Sequence, residues 1–416
     1  MNIEELHKFI EEEQPNICQI VAIKNNEIVY NDTWNSYKTT DNVHIASVTK
    51  SIISILIGIA IDKGLIESVN QKVLDFFPDY VIKRGEKTIQ EVTLYNLLTM
   101  TAPYKYKSEP WTKVCTSEDW TKSVLDLLGG RNGITGEFKY STLGIHILST
   151  IITKVSNMTT LQFANKYLFK PLGIKERNNY IVKNKEEHIS FVTSKLPKEN
   201  GWFCDNKGIV TSGFGLCVSA EDLAKIGQMC LNKGIYNDKQ IVSSKWIEQI
   251  TTPYIKCDEK FAFMQYGYLW WIIDEEKKIY SAIGDSGNVI YVNTDKNIVI
   301  SVTATFKPLV FDRVQFIQEY IGDDLYSKGR YVLNNIVFIN GLSFCYYNED
   351  DGYWEYSTAE CYGNEFKPNC NSNTFGNYCS GNSFGVRCYN NSFGNSVSRN
   401  TFGDVCYRNS FGNSCQ

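Results

Sequence analysis

Two short runs of alternating apolar and polar residues lie near the start of the chain, at Ile17–Ile23 and Glu27–Tyr30. A period of two puts every second side chain on one face, which predicts β-strands. The connection is Lys24, Asn25 and Asn26, and a short link of this composition is typical of a turn. This part of the chain therefore predicts a β-hairpin.

A second pattern, apolar on every side, begins near Ser47. The run Ile52–Ile61 reads I-I-S-I-L-I-G-I-A-I, and a helix without a polar face predicts burial in the core. Helical patterns dominate from there to roughly Leu172, where P-L-G-I predicts a stop. A later segment, Ser219–Leu231, opens with S-A-E-D, and a serine N-cap there predicts a further helix start.

Strand patterns return in the second half of the chain. They cover Tyr266–Ile273, Asn288–Val292 and Ile298–Ala304. A final helical pattern covers about Arg313–Tyr320. Strands at both ends with helices between them predict an α/β (α+β) fold, in which a helical domain is inserted into a sheet domain.

The end of the chain repeats every nine residues. The repeated phenylalanines are Phe366, Phe375, Phe384, Phe393, Phe402 and Phe411. Cysteines hold the same register from Cys361 to Cys415, with Val397 as the exception, so both residue types share one face of a short strand. About eighteen residues would form two strands and two turns, which predicts a narrow parallel β-solenoid. A disordered tail rich in asparagine, serine and glycine is the alternative.

The composition limits the classes of function. The chain has 416 residues, 43% of them hydrophobic and 21% charged, and a formal net charge of −4. A slightly acidic chain offers no basic face for nucleic acid, and no apolar run reaches the ~18 residues of a membrane span. The first residues lack the segments of a secretory signal, so we expect a cytoplasmic protein.

The thirteen cysteines show no C-x-x-C pair, which predicts buried thiols rather than a zinc site.

Ser47-Val48-Thr49-Lys50 is the only S-x-x-K motif in the chain. At the start of a helix, residues three apart share a face, so the Lys50 amine can reach the Ser47 hydroxyl. Serine becomes a nucleophile when a base takes its proton, and a lysine can be that base if burial lowers its pKa. The motif predicts Ser47 as nucleophile and Lys50 as proton acceptor, although such a pair is more often ordinary helix surface.

Several blocks of sequence give this motif a context. The blocks read I-A-S-V-T-K-S-I-I-S-I-L-I-G-I-A-I-D-K-G-L-I, V-T-L-Y-N-L-L-T-M-T, F-K-Y-S-T-L-G, F-A-N-K-Y-L-F-K-P-L-G-I, G-F-G-L-C-V-S-A-E-D-L-A-K-I-G and Y-G-Y-L-W-W-I. In this order they resemble the class C β-lactamase and penicillin-binding family of serine hydrolases, over about Ile17 to Tyr320. The resemblance implies a β-lactamase/transpeptidase-like antiparallel sheet flanked by helices, with an inserted helical domain.

The change in composition and the repeat predict a serine hydrolase domain over residues 1–330, a connecting segment over 331–355 and the repeat over 356–416. The resemblance does not extend to the repeat, but it assigns the chemistry of the first domain. Acyl transfer in this family needs no metal or organic cofactor. The family's second motif is Tyr-x-Asn, and here it looks like Tyr140-Ser141-Thr142. Tyr140 would assist proton transfer, and a neighbouring lysine would favour loss of its proton. Thr142 replaces the usual asparagine and still offers a hydroxyl to Lys50 or to the substrate.

The third motif looks like Asp285-Ser286-Gly287. Gly287 would let the substrate lie close to the strand. The backbone N–H groups of Ser47 and Asn288 would form the oxyanion hole, in which one donor is typically worth about 10²–10³ in rate. The family usually has a cation where Asp285 stands, and a carboxylate there would repel the carboxylate of a penicillin. An uncharged or cationic ester or amide is therefore the better expectation.

Two other hydrolase classes fit the chain less well. G-D-S-G resembles the nucleophile segment of chymotrypsin-like proteases, but the chain continues with Asn288-Val289 in place of Gly-Pro. None of the four histidines lies in the matching histidine block, and no G-x-S-x-G of an α/β-hydrolase occurs. His44 precedes Ser47 by three residues, where we expect packing or hydrogen bonding rather than a base.

The predicted function is hydrolysis of a small-molecule ester or amide through a Ser47 acyl-enzyme, with Lys50 and Tyr140 as acid–base groups. D-amino-acid and β-lactam-like acyl compounds belong to this substrate class. Two alternatives remain open. The first is a catalytically silent binding protein of the same fold. The second is an adhesion or assembly protein, in which the repeats bind a partner or another copy of the chain and carry the hydrolase domain.

Overall fold

The computed structural model describes residues 3–182, 185–257, 261, 264–307, 310 and 313–322, together with short strands between residues 330 and 411. The chain divides into two compact units. The larger unit comprises residues 16–28 and 33–314, and the smaller unit comprises residues 1–15, 29–32 and 315–416. The domain limits at residues 330 and 355 remain predictions.

Helices make up much of the first 250 residues of the described chain. The helices are α1 Ile3–Glu13, α2 Val48–Asp62, α3 Leu94–Leu98, α4 Trp111–Cys115, α5 Trp120–Leu127, α6 His146–Ser156, α7 Thr160–Ala164, α8 Lys185–Thr193, α9 Ala220–Leu231, α10 Ser244–Ile250 and α11 Arg313–Phe316. Among the helices in the described part of the chain, none combines the length and hydrophobicity that a bilayer span requires.

The strands up to residue 304 are β1 Ile17–Lys24, β2 Glu27–Thr33, β3 Val43–His44, β4 Asn178–Ile181, β5 Gly201–Cys204, β6 Cys217–Val218, β7 Ile235–Tyr236, β8 Lys239–Gln240, β9 Ile255–Lys256, β10 Gln265–Tyr266, β11 Trp271–Asp274, β12 Ile279–Gly284, β13 Asn288–Asn293 and β14 Ile298–Ala304. In the larger unit the main sheet has the order β1-β14-β13-β12-β11-β10-β9. All neighbours in it are antiparallel, as the fold prediction expected.

The turn between β1 and β2 confirms the predicted hairpin. Asn25 and Asn26 have φ angles of 51° and 69°, so both lie in the left-handed region. A two-residue hairpin turn of the primed type requires this conformation, and asparagine tolerates it better than most residues. The composition of the connection therefore determines the turn.

The predicted core helix is α2, and it is buried from Val48 to Ala60. A Cβ on Gly58 would lie 2.1 Å from the Trp246 side chain, so only glycine lets α10 approach this closely. The indole N–H of Trp246 also donates to the Ser54 carbonyl at 3.0 Å, which ties α10 to α2. These contacts hold the helix that begins at Ser47 in one position.

Helix α9 confirms the predicted capping. The Ser219 hydroxyl accepts a hydrogen bond from the Asp222 N–H at 3.1 Å. The helix packs on the sheet through Gly227, whose Cβ would lie 2.5 Å from Val299 and 2.8 Å from Ile290. A single glycine thus allows close packing of helix on sheet.

One predicted strand is wrong in its extent. The run Tyr266–Ile273 was expected to be continuous, but β10 and β11 are two strands that pair antiparallel with each other. Leu269 has a φ of 61°, and the Gly267 N–H donates to the Trp270 carbonyl at 2.8 Å. A tight turn therefore interrupts an apolar run, because burial on both sides removes the alternation that would have marked the turn.

The smaller unit contains further strands: β15 Arg330–Leu333, β16 Ile336–Ile339, β17 Leu342–Asn348, β18 Tyr353–Thr358, β19 Glu365–Phe366, β20 Thr374–Phe375, β21 Ser383–Phe384, β22 Ser392–Phe393, β23 Thr401–Phe402 and β24 Ser410–Phe411. Strands β15 to β18 pair antiparallel with one another, and β18 also pairs with β20 in parallel. The strands of alternate repeats pair parallel and in register, such as Phe375 with Phe393. The residues between these strands lie outside the described part, and the β-solenoid stays a prediction.

Candidate active site

Ser47 lies at the N-terminal end of α2, directly after a constrained turn. Ala46 has a φ of 47°, a left-handed conformation that costs a residue with a side chain about 1–2 kcal/mol. The Ile45 N–H donates to the Leu216 carbonyl at 3.0 Å, next to the pairing of β3 with β6. Among the described residues, none accepts a hydrogen bond from the Ser47 N–H. The turn therefore presents both the hydroxyl and a free N–H donor of Ser47.

Lys50 occupies the first turn of α2 and is 1% exposed. Its Nζ donates to the Ser47 Oγ at 2.7 Å and to the Gly213 carbonyl at 2.7 Å. Burial lowers the pKa of Lys50 to about 7, while the negative charge of Glu109 acts in the opposite direction. A substantial fraction of this amine is therefore neutral near pH 7 and can accept a proton.

Tyr140 packs beside this pair. The Lys50 Nζ lies 4.8 Å from the centre of the Tyr140 ring, and the Ser47 side chain is near enough to the phenol to act on its pKa, in the lowering direction. The expected ease of deprotonation is wrong, because burial raises the pKa of Tyr140 above its ordinary value. The carboxylates of Glu109 and Asp285 raise the pKa further. Tyr140 is thus a protonated donor at neutral pH.

Glu109 holds the segment that carries Tyr140. Its Oε1 accepts hydrogen bonds from the Ser141 hydroxyl at 2.8 Å and the Leu143 N–H at 2.7 Å. The Tyr106 hydroxyl lies 2.7 Å from the Ser141 hydroxyl. A carboxylate with these partners both orients the Tyr140 segment and adds negative charge near Lys50.

The third predicted motif lies in the turn between β12 and β13. Gly284 ends β12 and pairs with Asn288. A Cβ on Gly284 would lie 2.4 Å from the Ile45 carbonyl and 3.1 Å from the Ser47 N, so this turn meets the nucleophile through a backbone contact. Asp285 is exposed, whereas Ser286 is 4% exposed.

Side chains of the turn mainly stabilise it. The Asn288 amide donates to the Asp285 carbonyl at 2.9 Å and accepts from the Ala304 N–H at 2.9 Å. The Ser286 hydroxyl accepts from the Lys307 N–H at 3.0 Å. The Asn288 side chain is therefore more important to the turn than the sequence suggested.

Gly287 is required for a different reason from the expected one. Its φ is 83°, and a Cβ would lie 2.6 Å from the Nε of Arg313. Gly287 does not line the cleft at Ser47, whereas Asp285, Ser286 and Asn288 do. The glycine makes room for a buried guanidinium rather than for the substrate.

A cleft of about 310 Å³ opens at Ser47. Thr142 lines it, but the hydrogen bonds of the Lys50 amine go to Ser47 and Gly213, not to the Thr142 hydroxyl. His44 also lines it; its Nε2 accepts from the Gly215 N–H at 3.1 Å. Burial lowers the pKa of His44 to about 3, in keeping with the predicted packing and hydrogen-bonding role.

The structure thus brings Ser47, Lys50 and Tyr140 together. It adds four groups that the sequence patterns did not indicate, namely Glu109, Lys198, Gly213 and Gly284. Of these, Gly284 had a detectable signal, since it is the first glycine of the G-D-S-G segment. The other three lie on loops, where no periodicity marks a residue.

Two known proteins resemble most of this chain in sequence. An uncharacterised protein of Alkalihalophilus pseudofirmus is 25% identical over 267 residues, covering 62% of this chain and 71% of the relative. The 6-aminohexanoate-dimer hydrolase of Paenarthrobacter ureafaciens is 23% identical over 302 residues, covering 67% of this chain and 70% of the relative.

Solved structures share the fold. The octameric penicillin-binding protein homologue from Pyrococcus abyssi has a TM-score of 0.56 at 22% identity, covering 74% of this chain and 75% of that one. The penicillin-binding protein from Bacillus halodurans has a TM-score of 0.56 at 18% identity, covering 75% of this chain and 99% of that one. The Beta-lactamase family profile matches residues 18–318. The chain therefore belongs to the Beta-lactamase family, whose members include hydrolases and penicillin-binding proteins.

Proposed function

We propose that this protein is a serine hydrolase that cleaves an ester or amide bond through an acyl-enzyme on Ser47. The observation that carries the proposal is the buried Lys50 amine, 2.7 Å from the Ser47 hydroxyl, with its pKa lowered to about 7. An amine that is largely hydrated and charged in water is here a base at neutral pH.

The reaction follows from the positions of the groups. Neutral Lys50 takes the proton of the Ser47 hydroxyl while Oγ bonds to the substrate carbonyl carbon. Tyr140 gives its proton to the leaving alcohol or amine, whose bond to the carbonyl carbon breaks, and takes in return the proton that Lys50 received from Ser47. Water then attacks the acyl carbon and gives a proton to the same groups; the bond to Ser47 Oγ breaks, Oγ takes that proton back, and the acid is released.

The oxyanion hole would use backbone donors. The Ser47 N–H has no acceptor among the described residues and lies at the helix end, where the dipole also favours negative charge. We assign the second donor to the turn after Gly284, with the Asn288 N–H as the sequence-based candidate. Backbone donors suit this role because they hold their direction without depending on a side chain.

A linear amide is the substrate type that the relatives favour. The relative from Paenarthrobacter ureafaciens is named for hydrolysis of a 6-aminohexanoate dimer, in which two amino-acid units are joined end to end. Asp285 stands where the family usually has a cation, so this turn does not supply the group that would hold the carboxylate of a β-lactam. We therefore favour an acyclic amide or ester.

A fluorophosphonate probe tests the proposal, because it reacts with activated serines. Wild type should be labelled at one site, and Ser47→Ala should not be labelled. Ser244→Ala, an exposed serine at the start of α10, is the matched control and should label like wild type. Absence of labelling in wild type, with no turnover of acyl esters, would favour a catalytically silent binding protein instead.

A further inference from the structure

The described residues that line the cleft include one cationic side chain, Lys198, and one carboxylate, Asp285. The remaining lining residues are apolar, aromatic or neutral polar side chains, together with two histidines, His44 and His188. Burial lowers the pKa of both histidines, which keeps them uncharged near neutral pH. The cleft therefore presents one positive and one negative group beside Ser47.

Lys198 is a half-buried cation that has no carboxylate partner among the described residues. No carboxylate oxygen of a described residue lies within 4 Å of its Nζ. The amine donates to the Ser194 carbonyl at 3.2 Å and lies 5.7 Å from the centre of the Phe191 ring. Burial lowers the pKa of Lys198, so the amine has lost hydration that no protein anion replaces. Its backbone is held by the bridge to Asn42, which keeps the side chain at the cleft.

Asp285 is the complementary group. It is exposed at the turn beside Ser47, and its Oδ1 accepts from the Ser286 N–H at 2.8 Å. Within the described residues, no cation lies within 4 Å of its carboxylate. One of its oxygens and most of its lone pairs therefore remain available to a ligand.

We propose that the cleft selects substrates that carry a carboxylate and a separate protonated amine, such as linear amides of amino acids. Lys198 pairs with the carboxylate and Asp285 with the ammonium group. This inference rests on the proposed function, because it names the substrate class of the same site. It also revises the expectation that Asp285 excludes anionic substrates, because Lys198 supplies the cation from another segment.

Four forms of one amide test the charge preference. The linear dimer of 6-aminohexanoic acid is compared with its N-acetyl form, its C-terminal amide and the doubly blocked form. Release of the leaving amine, followed by mass spectrometry, gives kcat/KM for each form. We expect blocking either end to lower kcat/KM about tenfold or more in wild type, since hydrogen bonds to charged groups are among the stronger ones.

Variants assign each charge to its partner. In Lys198→Met, blocking the carboxylate should have no further effect, while blocking the amine should still lower kcat/KM. Asp285→Asn should show the reverse. Lys195→Met, which changes an exposed lysine that does not line the cleft, is the matched control and should keep the wild-type ranking.

The outcomes separate this inference from the proposed function. The inference would be overturned if wild type gave kcat/KM values for the four forms within about threefold of one another. It would also be overturned if blocking the carboxylate lowered kcat/KM in Lys198→Met as much as in wild type. In both cases, labelling of Ser47 would still support the proposed hydrolase. If Ser47 is neither labelled nor active, the proposed function fails. Calorimetric binding of the four forms to the intact wild-type chain then decides the charge preference, and equal binding or no binding would overturn it.

Discussion

The protonation state of Lys50 depends on the residues that surround its amine. The S-x-x-K spacing specifies only that a lysine and a serine share a helix face. Burial makes the difference, because it takes water away from the charged form and so lowers the pKa of Lys50. Glu109 partly offsets this effect by attracting the ammonium charge.

The pH dependence of Ser47 reactivity should follow the pKa of Lys50, which burial lowers and Glu109 raises. Lys50 acts as base only when neutral, so the labelling rate should rise with pH through about 7, the lowered pKa of Lys50. Glu109→Gln keeps an oxygen acceptor for Ser141 and Leu143 but removes the charge. The pKa of Lys50 should then fall further, and the rise in rate should move to lower pH.

A matched variant tests whether the shift in the pH dependence comes from the position of Glu109 or from the loss of any carboxylate. Glu137→Gln removes an exposed carboxylate that does not act on Lys50, and it should leave the midpoint unchanged. A midpoint that stays at its wild-type pH in Glu109→Gln, or that moves upward, would contradict the role given to Glu109. A single rate increase only above pH 10 would instead indicate a phenolate base.

At the scale of secondary-structure elements, one contact between a strand and a helix brings the groups of the site together. The end of β12 lies against the turn before α2, and Gly284 is the residue at which they meet. Its backbone is extended, with φ of −119°, so any residue could adopt the conformation. The requirement for glycine comes from the neighbouring backbone, of which the Ile45 carbonyl is the nearest atom.

Substitution at this contact should impair the site more than the fold. In Gly284→Ala the new methyl group would lie 2.4 Å from the Ile45 carbonyl, a backbone atom that cannot rotate away. The turn and Ser47 must separate, so we expect labelling by the fluorophosphonate to slow at least about tenfold, the scale of losing an oxyanion donor.

Gly64→Ala provides the comparison for general destabilisation. Gly64 has a φ of 67° and open space around it, so the substitution strains the backbone by about 1–2 kcal/mol without touching the cleft. It should lower Tm and leave labelling unchanged. If Gly284→Ala labels at the wild-type rate, the close contact has no functional consequence.

At the scale of the whole molecule, the described cleft residues all lie between Tyr37 and Phe306. The repeats lie beyond the family match, which ends at residue 318. A chain that ends at Thr358 loses the repeats and keeps the four antiparallel strands β15 to β18. We expect it to label at Ser47 at the rate of the full chain.

Mass in solution tests what the repeats add. If they bind other copies of the chain, full-length protein should exceed the 416-residue monomer mass and the shortened chain should not. Equal monomeric behaviour of both would remove the assembly hypothesis. Loss of labelling in the shortened chain would show that the hydrolase needs the end of the chain.

The sequence was sufficient for the features that depend on neighbours along the chain. The hairpin at Asn25 and Asn26, the cap at Ser219 and the buried run of α2 follow from local conformational preferences and from hydrophobic patterning. The order of motifs indicated the family. The missed turn within Tyr266–Ile273 shows the limit, since a run that is apolar throughout looks the same with or without a turn.

Only the tertiary structure decided the chemistry of these residues. Whether the Lys50 amine is charged, and whether Tyr140 keeps its proton, depends on how much water each group loses and on carboxylates far away in sequence. The presence of Lys198 and Asp285 in one cleft is likewise a property of folding. The sequence by itself determined which residues meet the requirements of a serine hydrolase, while the surrounding packing determined their protonation states and the charges that a substrate encounters.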